Sequence, residues 1–200
     1  MRRSLLFVSL LFFSFTSLAV AQRGAVTLPS TLEQLTNESQ LIVHGFVVSS
    51  KVEPHPKYQN LSTVVVEMKV VDVLKGSAPE RFTYRQFIWD VRDRMDGAGY
   101  RKGQELVLLL NAASELGLRS PVGLEQGRFV VQKGQDGRVT AVNGNGNAFL
   151  FKDFSGALPL EVPAVQKKST VAIPSRLRTA PRSLTIDDLK QLVAAYEGGR

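Results

Sequence analysis

The longest regular pattern in the chain is an alternation of side chains over residues 62–74. One face receives Val64, Val66, Met68 and Val70, and the other receives Val65, Glu67 and Lys69. A period of two residues predicts a long β-strand. The apolar face then changes to Val71 and Val73, which indicates a β-bulge between Val70 and Val71. Because long, bent strands are typical of sheets that close on themselves, the pattern predicts a mainly β fold with a closed or partly open antiparallel β-barrel.

Further segments have the β-branched and aromatic content of strands. They are residues 41–48, 81–89, 105–111, 128–131 and 138–142. Gly45 lies where a second bulge or tight bend is expected. The apolar run at residues 106–110 predicts a strand buried on both faces. Residues 135–137, with the sequence Gln-Asp-Gly, predict a hairpin turn between the last two strands. The expected barrel therefore has five or six strands.

Short helices are predicted on both sides of the strands. Ser30 and Glu33 have capping-box spacing, and Leu32 and Leu35 follow at helical spacing, which predicts a short N-terminal helix. At the other end Thr185 has the chemistry of an N-cap residue. An apolar stripe follows it, formed by Ile186, Leu189, Leu192, Val193 and Tyr196. We expect this amphipathic helix to bury its stripe against the barrel.

These patterns divide residues 22–200 into three parts. Residues 22–155 are predicted to form the barrel domain. Residues 156–182 are rich in proline and basic side chains, which favours a linker or arm. Residues 183–200 are predicted to form the C-terminal amphipathic helix.

The first 21 residues have the organisation of a secretory signal peptide. Arg2 and Arg3 form a positive start, residues 5–15 are almost entirely apolar, and Ala19-Val20-Ala21 forms a small-residue cleavage site before Gln22. The apolar run is too short to remain as a membrane span. We therefore expect residues 1–21 to be removed, and the mature chain to be exported to the periplasm or the extracellular space without a membrane span.

The composition indicates where the protein acts and which class of partner it binds. The chain has no cysteine although export would permit disulfides, which favours a bacterial exported protein stabilised by packing. Removal of Arg2 and Arg3 lowers the formal net charge from +7 to +5. The remaining excess lies in the basic arm, so the charge does not favour nucleic acid as a partner. A protein or a cell-envelope polymer is the expected partner.

Four blocks of the sequence resemble a group of uncharacterised exported bacterial proteins. They are residues 41–45, 70–76, 102–110 and 120–129, the last with the sequence Ser-Pro-Val-Gly-Leu-Glu-Gln-Gly-Arg-Phe. The order of these blocks also resembles the netrin-like domains of tissue inhibitors of metalloproteinases. That resemblance covers residues 30–131 and implies an OB-like barrel with associated helices. In those inhibitors an N-terminal cysteine binds the zinc of the target. This chain has no cysteine and is expected to begin at Gln22, so the inhibitory residues cannot be transferred.

The chain has few residues of the types that act in catalysis or bind metal ions. His44 and His55 are the only histidines, and we expect His44 to be a packed or edge strand residue and His55 to be exposed. Two isolated histidines do not favour a metal site or a catalytic triad, so no catalytic residue, metal or cofactor is predicted. Asp90, Asp93 and Asp96 lie in one polar loop. Their spacing leaves a calcium site and a solvated or salt-bridged loop as alternatives.

One group of side chains is a candidate binding surface. Trp89 ends the third predicted strand, and Arg92, Arg94, Tyr100 and Arg101 follow it. Aromatic and basic side chains near a barrel rim are typical of binding faces in OB-type barrels. The alternative is that a helix or the C-terminal arm covers them. The sequence thus predicts an exported, non-enzymatic binding or interaction module, with a secreted protease inhibitor of atypical, cysteine-independent mechanism as the alternative.

Overall fold

A computed structural model of the chain describes residues 27–90, 93–134, 137–152 and 171–198. The predicted signal peptide, residues 1–21, lies outside the described residues. So do Arg92, the first two residues of the predicted hairpin turn and most of the predicted arm.

Six antiparallel strands form one sheet, in the spatial order β3-β2-β1-β4-β5-β6. The strands are β1 (Leu41–Pro54), β2 (Ser62–Lys75), β3 (Arg81–Phe87), β4 (Glu105–Leu110), β5 (Arg128–Lys133) and β6 (Val139–Asn143). The predicted mainly β, antiparallel fold is therefore confirmed. All six predicted strand segments are present, and β1 extends well beyond its predicted end.

Of the two predicted forms, closed or partly open, the closed barrel is wrong, because β3 and β6 lie at opposite edges of the sheet. Other segments bond to these edges instead. At β3, the backbone oxygen of Arg85 accepts a hydrogen bond from Arg119 N at 2.8 Å. At β6, Ala141 N donates to Leu184 O at 2.8 Å. Since unpaired backbone groups at a sheet edge need partners, these contacts satisfy part of each edge without joining β3 to β6.

The predicted bulge between Val70 and Val71 is confirmed by the register of β1 and β2. His44 pairs with Asp72 and Gly45 pairs with Val70, so Val71 is the extra residue on β2. Gly45 permits the close approach of the two strands at this point. A Cβ atom on it would lie only 2.2 Å from the backbone oxygen of Lys69. The bulge bends the two longest strands and depends on glycine for space.

The sheet separates two apolar cores. Strand β4 contributes to both, as predicted, with alternate side chains on opposite faces. The helix-side core contains Leu32, Leu35, Ile42, Val107, Leu109, Val122, Phe129, Ala141, Leu150, Phe151, Leu177, Leu184, Leu189, Leu192, Val193 and Tyr196. The strand-side core contains Leu41, Val43, Val47, Val64, Val66, Met68, Tyr84, Ile88, Tyr100, Leu106, Leu108 and Leu110.

Four α-helices are described. They are α1 (Leu32–Glu38), α2 (Asp93–Asp96), α3 (Ser175–Thr179) and α4 (Ile186–Gly198). The capping box of α1 lies one residue later than predicted, because Thr31 is the N-cap and Gln34 its partner. Thr185 caps α4 as predicted, with its Oγ1 accepting from Asp188 N at 3.1 Å.

Helix α4 packs against the sheet as expected. Its buried side chains Leu189, Leu192, Val193 and Tyr196 all belong to the helix-side core. Burial of an apolar side chain of this size contributes about 1.5–3 kcal/mol, so this stripe is a large part of the attachment. No helix within the described ranges is long and apolar enough to cross a membrane.

Candidate binding surface

Trp89 lies two residues after the end of β3 and is 63% exposed. The residue before it anchors the chain, because Ile88 is buried in the strand-side core and Ile88 N donates to Ser62 O at 3.0 Å. The indole ring meets the Phe87 ring edge to face, with centroids 4.7 Å apart. A large aromatic side chain is thus held at the surface by a fixed backbone.

The connection between β3 and β4, residues 88–104, carries the other exposed candidates. Arg94 and Met95 lie on the single turn of α2, and Met95 is 91% exposed. Arg101 is exposed in the turn before β4. We call Trp89, Arg94, Met95 and Arg101 the Trp89 surface. The structure therefore places three of the five predicted site residues on one exposed connection, and Met95 joins them although sequence reasoning missed it.

Tyr100 does not belong to the exposed surface, which corrects the prediction for this residue. It is 2% exposed, and its hydroxyl donates to Gln86 Oε1 at 2.8 Å. Its ring meets the Tyr84 ring edge to face, with centroids 6.1 Å apart. Burial raises the pKa of the Tyr100 phenol. Tyr100 therefore supports the connection from inside the strand-side core.

Arg128 is the residue behind this connection, and sequence reasoning missed it. Its side chain is only 13% exposed. The guanidinium carbon lies 4.8 Å from the centroid of the Tyr100 ring. Nη1 donates to Ala98 O at 2.7 Å, and Nη2 lies 3.0 Å from a carboxylate oxygen of Glu125. A guanidinium can make these contacts at once because it combines a planar stacking face with a fork of donors.

The block at residues 120–129, on which the family resemblance partly rests, has a further structural role. The amide of Gln126, which is 2% exposed, donates to Thr27 Oγ1 at 2.7 Å and to Leu28 O at 2.9 Å. Its oxygen accepts from Ser30 N at 2.8 Å. Gln126 therefore holds the segment before α1 against the turn that precedes β5.

His44 lies at the centre of a charged network, as a packed strand residue. Its Nε2 is 2.8 Å from Glu105 Oε1 on β4, and its Nδ1 is 3.3 Å from Asp72 Oδ2 on β2. Asp72 also accepts a hydrogen bond from Lys190 of α4. The ammonium of Lys190 and then the imidazole of His44 lower the pKa of the Asp72 carboxyl. The network joins three strands to α4, and no sequence pattern indicated it because its members are far apart in the chain.

His55 is buried rather than exposed, which corrects the second histidine prediction. Its Nδ1 accepts from Lys57 N at 3.2 Å, and its Nε2 donates to Leu116 O at 2.9 Å. The ring also stacks on Tyr58, with centroids 5.4 Å apart. His55 thus fastens the β1–β2 hairpin to the loop that follows β4.

The aspartate loop has a local structural role. Asp93 and Asp96 lie on α2, and Asp96 Oδ1 accepts from Gly99 N at 3.2 Å. In the ranges that the structure describes, no three histidine or acidic side chains are grouped so that they could hold a metal ion. The structure therefore gives the calcium alternative no support at Asp90, Asp93 and Asp96.

Comparison of the chain with protein-family models, with curated proteins and with solved structures finds no match. The netrin-like resemblance therefore stays a prediction.

Proposed function

We propose that the mature chain is an exported, non-enzymatic binding module and that it contacts its partner through the Trp89 surface. The observation behind this proposal is that Trp89 and Met95 are 63% and 91% exposed on one connection, together with Arg94. Trp89 and Met95 are two large apolar side chains exposed on the same connection, and an exposed apolar patch is typical of a contact site. The leader sequence supports export, and the bent antiparallel sheet supports an OB-like interpretation of the fold.

A protein is the partner that these side chains favour over a cell-envelope polymer. Tryptophan, methionine and arginine are all enriched at the centres of protein interfaces. Tryptophan and arginine also dominate the small set of residues whose truncation weakens binding most. The Trp89 surface presents all three types, so it has the composition of a hot spot for protein recognition.

The contacts of the two histidines support a non-enzymatic role. Both ring nitrogens of His44 face carboxylates, and both ring nitrogens of His55 face backbone groups. A general base needs a nitrogen directed at a reacting group. The two histidines are instead used in contacts that join strands, loops and α4.

The test is quantitative binding by the mature chain, residues 22–200, to proteins of its own secretome. We expect the double variant Trp89→Ala/Arg94→Ala to lose roughly 30-fold in affinity, as hot-spot truncations do. Its melting temperature should remain close to that of the parent, because both side chains are exposed. Val139→Ala is the control, since Val139 is an exposed apolar residue of β6, at the opposite edge of the sheet from β3.

Three outcomes separate the alternatives. Equal affinity of the double variant and the parent would remove the Trp89 surface as the contact site. Retention on isolated cell-envelope polysaccharide, lost in the double variant, would replace the protein partner by a polymer. Stoichiometric inhibition of a secreted metalloprotease by the parent chain would select the protease-inhibitor alternative.

A further inference from the structure

Three successive residues behind the Trp89 surface have left-handed backbone conformations. Gly97, Ala98 and Gly99 have φ angles of 63°, 54° and 75°. Glycine adopts this region freely, whereas alanine is disfavoured there because its Cβ crowds the backbone. Ala98 is thus a strained residue three positions after the exposed Met95. Strain of this kind persists only where neighbouring contacts impose it.

Three side chains impose the conformation. Arg128 Nη1 donates to Ala98 O at 2.7 Å, which is a hydrogen bond to the strained residue itself. Ser50 Oγ donates to Tyr100 O at 2.9 Å. Asp96 Oδ1 accepts from Gly99 N at 3.2 Å. Arg128 differs from the other two because it is almost buried and also stacks on Tyr100, so its position is set by the core.

Close packing around residues 97–99 leaves little room for another backbone conformation. A Cβ atom added to Gly99 would lie 3.0 Å from Arg128 Nη2, and one added to Gly97 would lie 2.9 Å from Ser50 Oγ. The turn at residues 97–99 therefore fits between β1 and the side chain from β5. Helix α2 precedes this turn directly. The backbone conformation of the turn therefore determines the orientation of α2, which carries Arg94 and Met95.

We propose that Arg128 is a positioning residue for the Trp89 surface, because it holds Ala98 in its left-handed conformation and thereby fixes the orientation of α2. This inference rests on the proposed function for its biological meaning. Its physical basis is that a loop ordered before binding loses less conformational entropy when the partner arrives. Arg128 makes no contact with the partner in this proposal, and it acts through the backbone of the connection.

The first test compares Arg128→Lys with the parent. Lysine keeps the positive charge but has neither the stacking plane nor the fork of donors. We expect lower NMR backbone order parameters at residues 94–99, and affinity for the partner lower by roughly three- to tenfold, the effect of ordering a few groups on binding. Unchanged order and unchanged affinity would overturn the inference.

The second test asks whether the strain at Ala98 is coupled to Arg128. In the Arg128→Lys background, Ala98→Gly removes the steric penalty, so we expect it to restore part of the order and of the affinity. In the parent background the same substitution should change affinity little. A purely structural role for Arg128 predicts no such rescue, and equal effects of Ala98→Gly in the two backgrounds would contradict the proposal.

A third variant covers the case in which Arg128→Lys does not fold. Ala98→Val keeps Arg128 but places a β-branched side chain in the left-handed region, so we expect the same loss of order at residues 94–99. Because the order parameters need no partner, this readout is independent of the proposed function. Loss of order without any binding effect of Trp89→Ala/Arg94→Ala would reject the contact surface and retain the positioning role.

Discussion

The two faces of the sheet are covered in different ways. The helix-side core is closed by elements from both ends of the described chain, α1 and the segment from residue 171 through α4. The strand-side core is closed by the curvature of the strands themselves and by the connection between β3 and β4. One face therefore depends on the attachment of separate helices, whereas the other depends on the shape of the sheet.

The charged contacts next to the helix-side core and the strand-side core also differ. Ion pairs at the rim hold α4: Lys190 bonds to Asp72, Lys75 Nζ lies 3.0 Å from Glu197, and Arg176 Nη2 lies 2.5 Å from Asp188. The strand-side core instead contains the nearly buried cation Arg128 against Tyr100. The comparison teaches that α4 is held at the rim by ion pairs, while the support of the Trp89 surface centres on a packed guanidinium that stacks on Tyr100.

Removal of a large side chain from each core is expected to have the largest effect. Phe129 in the helix-side core and Leu108 in the strand-side core are both fully buried. We expect Phe129→Ala to lower the free energy of unfolding by about 3–5 kcal/mol and Leu108→Ala to lower it by about 2–5 kcal/mol, measured by urea denaturation. Hydrogen exchange of backbone amides should then distinguish the two variants. Only Phe129→Ala should reduce protection in α4, because only it leaves a cavity in the core that α4 covers. Equal loss of protection in α4 for both variants would show that the two cores respond as one.

The bulge between the two long strands provides the next test. Gly45→Ala would place a methyl group 2.2 Å from Lys69 O, so β1 and β2 must separate locally. We expect a loss of about 1–3 kcal/mol in the free energy of unfolding, which is typical of overpacking. Gly198→Ala is the control, since among the described residues no atom beyond the chain neighbours and the backbone of α4 lies within 4 Å of the added Cβ. A Gly45→Ala chain as stable as the parent would mean that the curvature does not require the close approach.

The smallest expected effect is the response to acid. Burial alone would raise the pKa of the Asp188 carboxyl, but hydrogen bonds from Arg176 and Thr185 outweigh burial and hold it below its ordinary value. The pKa of Asp72 is also lowered, first by Lys190 and then by His44. A carboxyl whose pKa is lowered by folding stabilises the fold above its unfolded pKa, and this contribution disappears as pH falls through the folded value.

Acid should therefore loosen α4 before it loosens the strand-side core. Burial raises the pKa of Tyr84 and of Tyr100, so both phenols stay neutral throughout the acidic range. Amide exchange corrected for its intrinsic pH dependence should show α4 losing protection at a higher pH than β4. The variant Asp188→Asn should reduce that difference, and earlier loss in β4 than in α4 would contradict it.

Sequence periodicity predicted most of the secondary structure because it is a local property. The alternation at residues 62–74, its bulge at Val71 and the doubly buried β4 all follow from which side chains point to the same side of a strand. The cap at Thr185 is local in the same way. The cap of α1 was displaced by one residue because neighbouring polar residues offered two registers for the same motif.

The sequence predicted only part of the candidate site. The sequence indicated Trp89 as a candidate from its place after the third strand, but left its exposure open; the structure shows that it is exposed. Burial of Tyr100 could not be predicted, because it depends on Tyr84 and on Arg128, which is 28 residues further along the chain. The network around His44 joins residues separated by 28, 61 and 118 positions.

The amino-acid sequence by itself thus determined the strands, the bulge and the amphipathic α4, since each depends on the spacing of neighbouring side chains. Only the tertiary structure decided that the sheet stays open, that Tyr100 is internal and that Arg128 lies behind the Trp89 surface. The physical reason is that burial and charge pairing depend on distances between residues remote in the chain. Those distances are set by how the whole sheet curves and by what packs against each face.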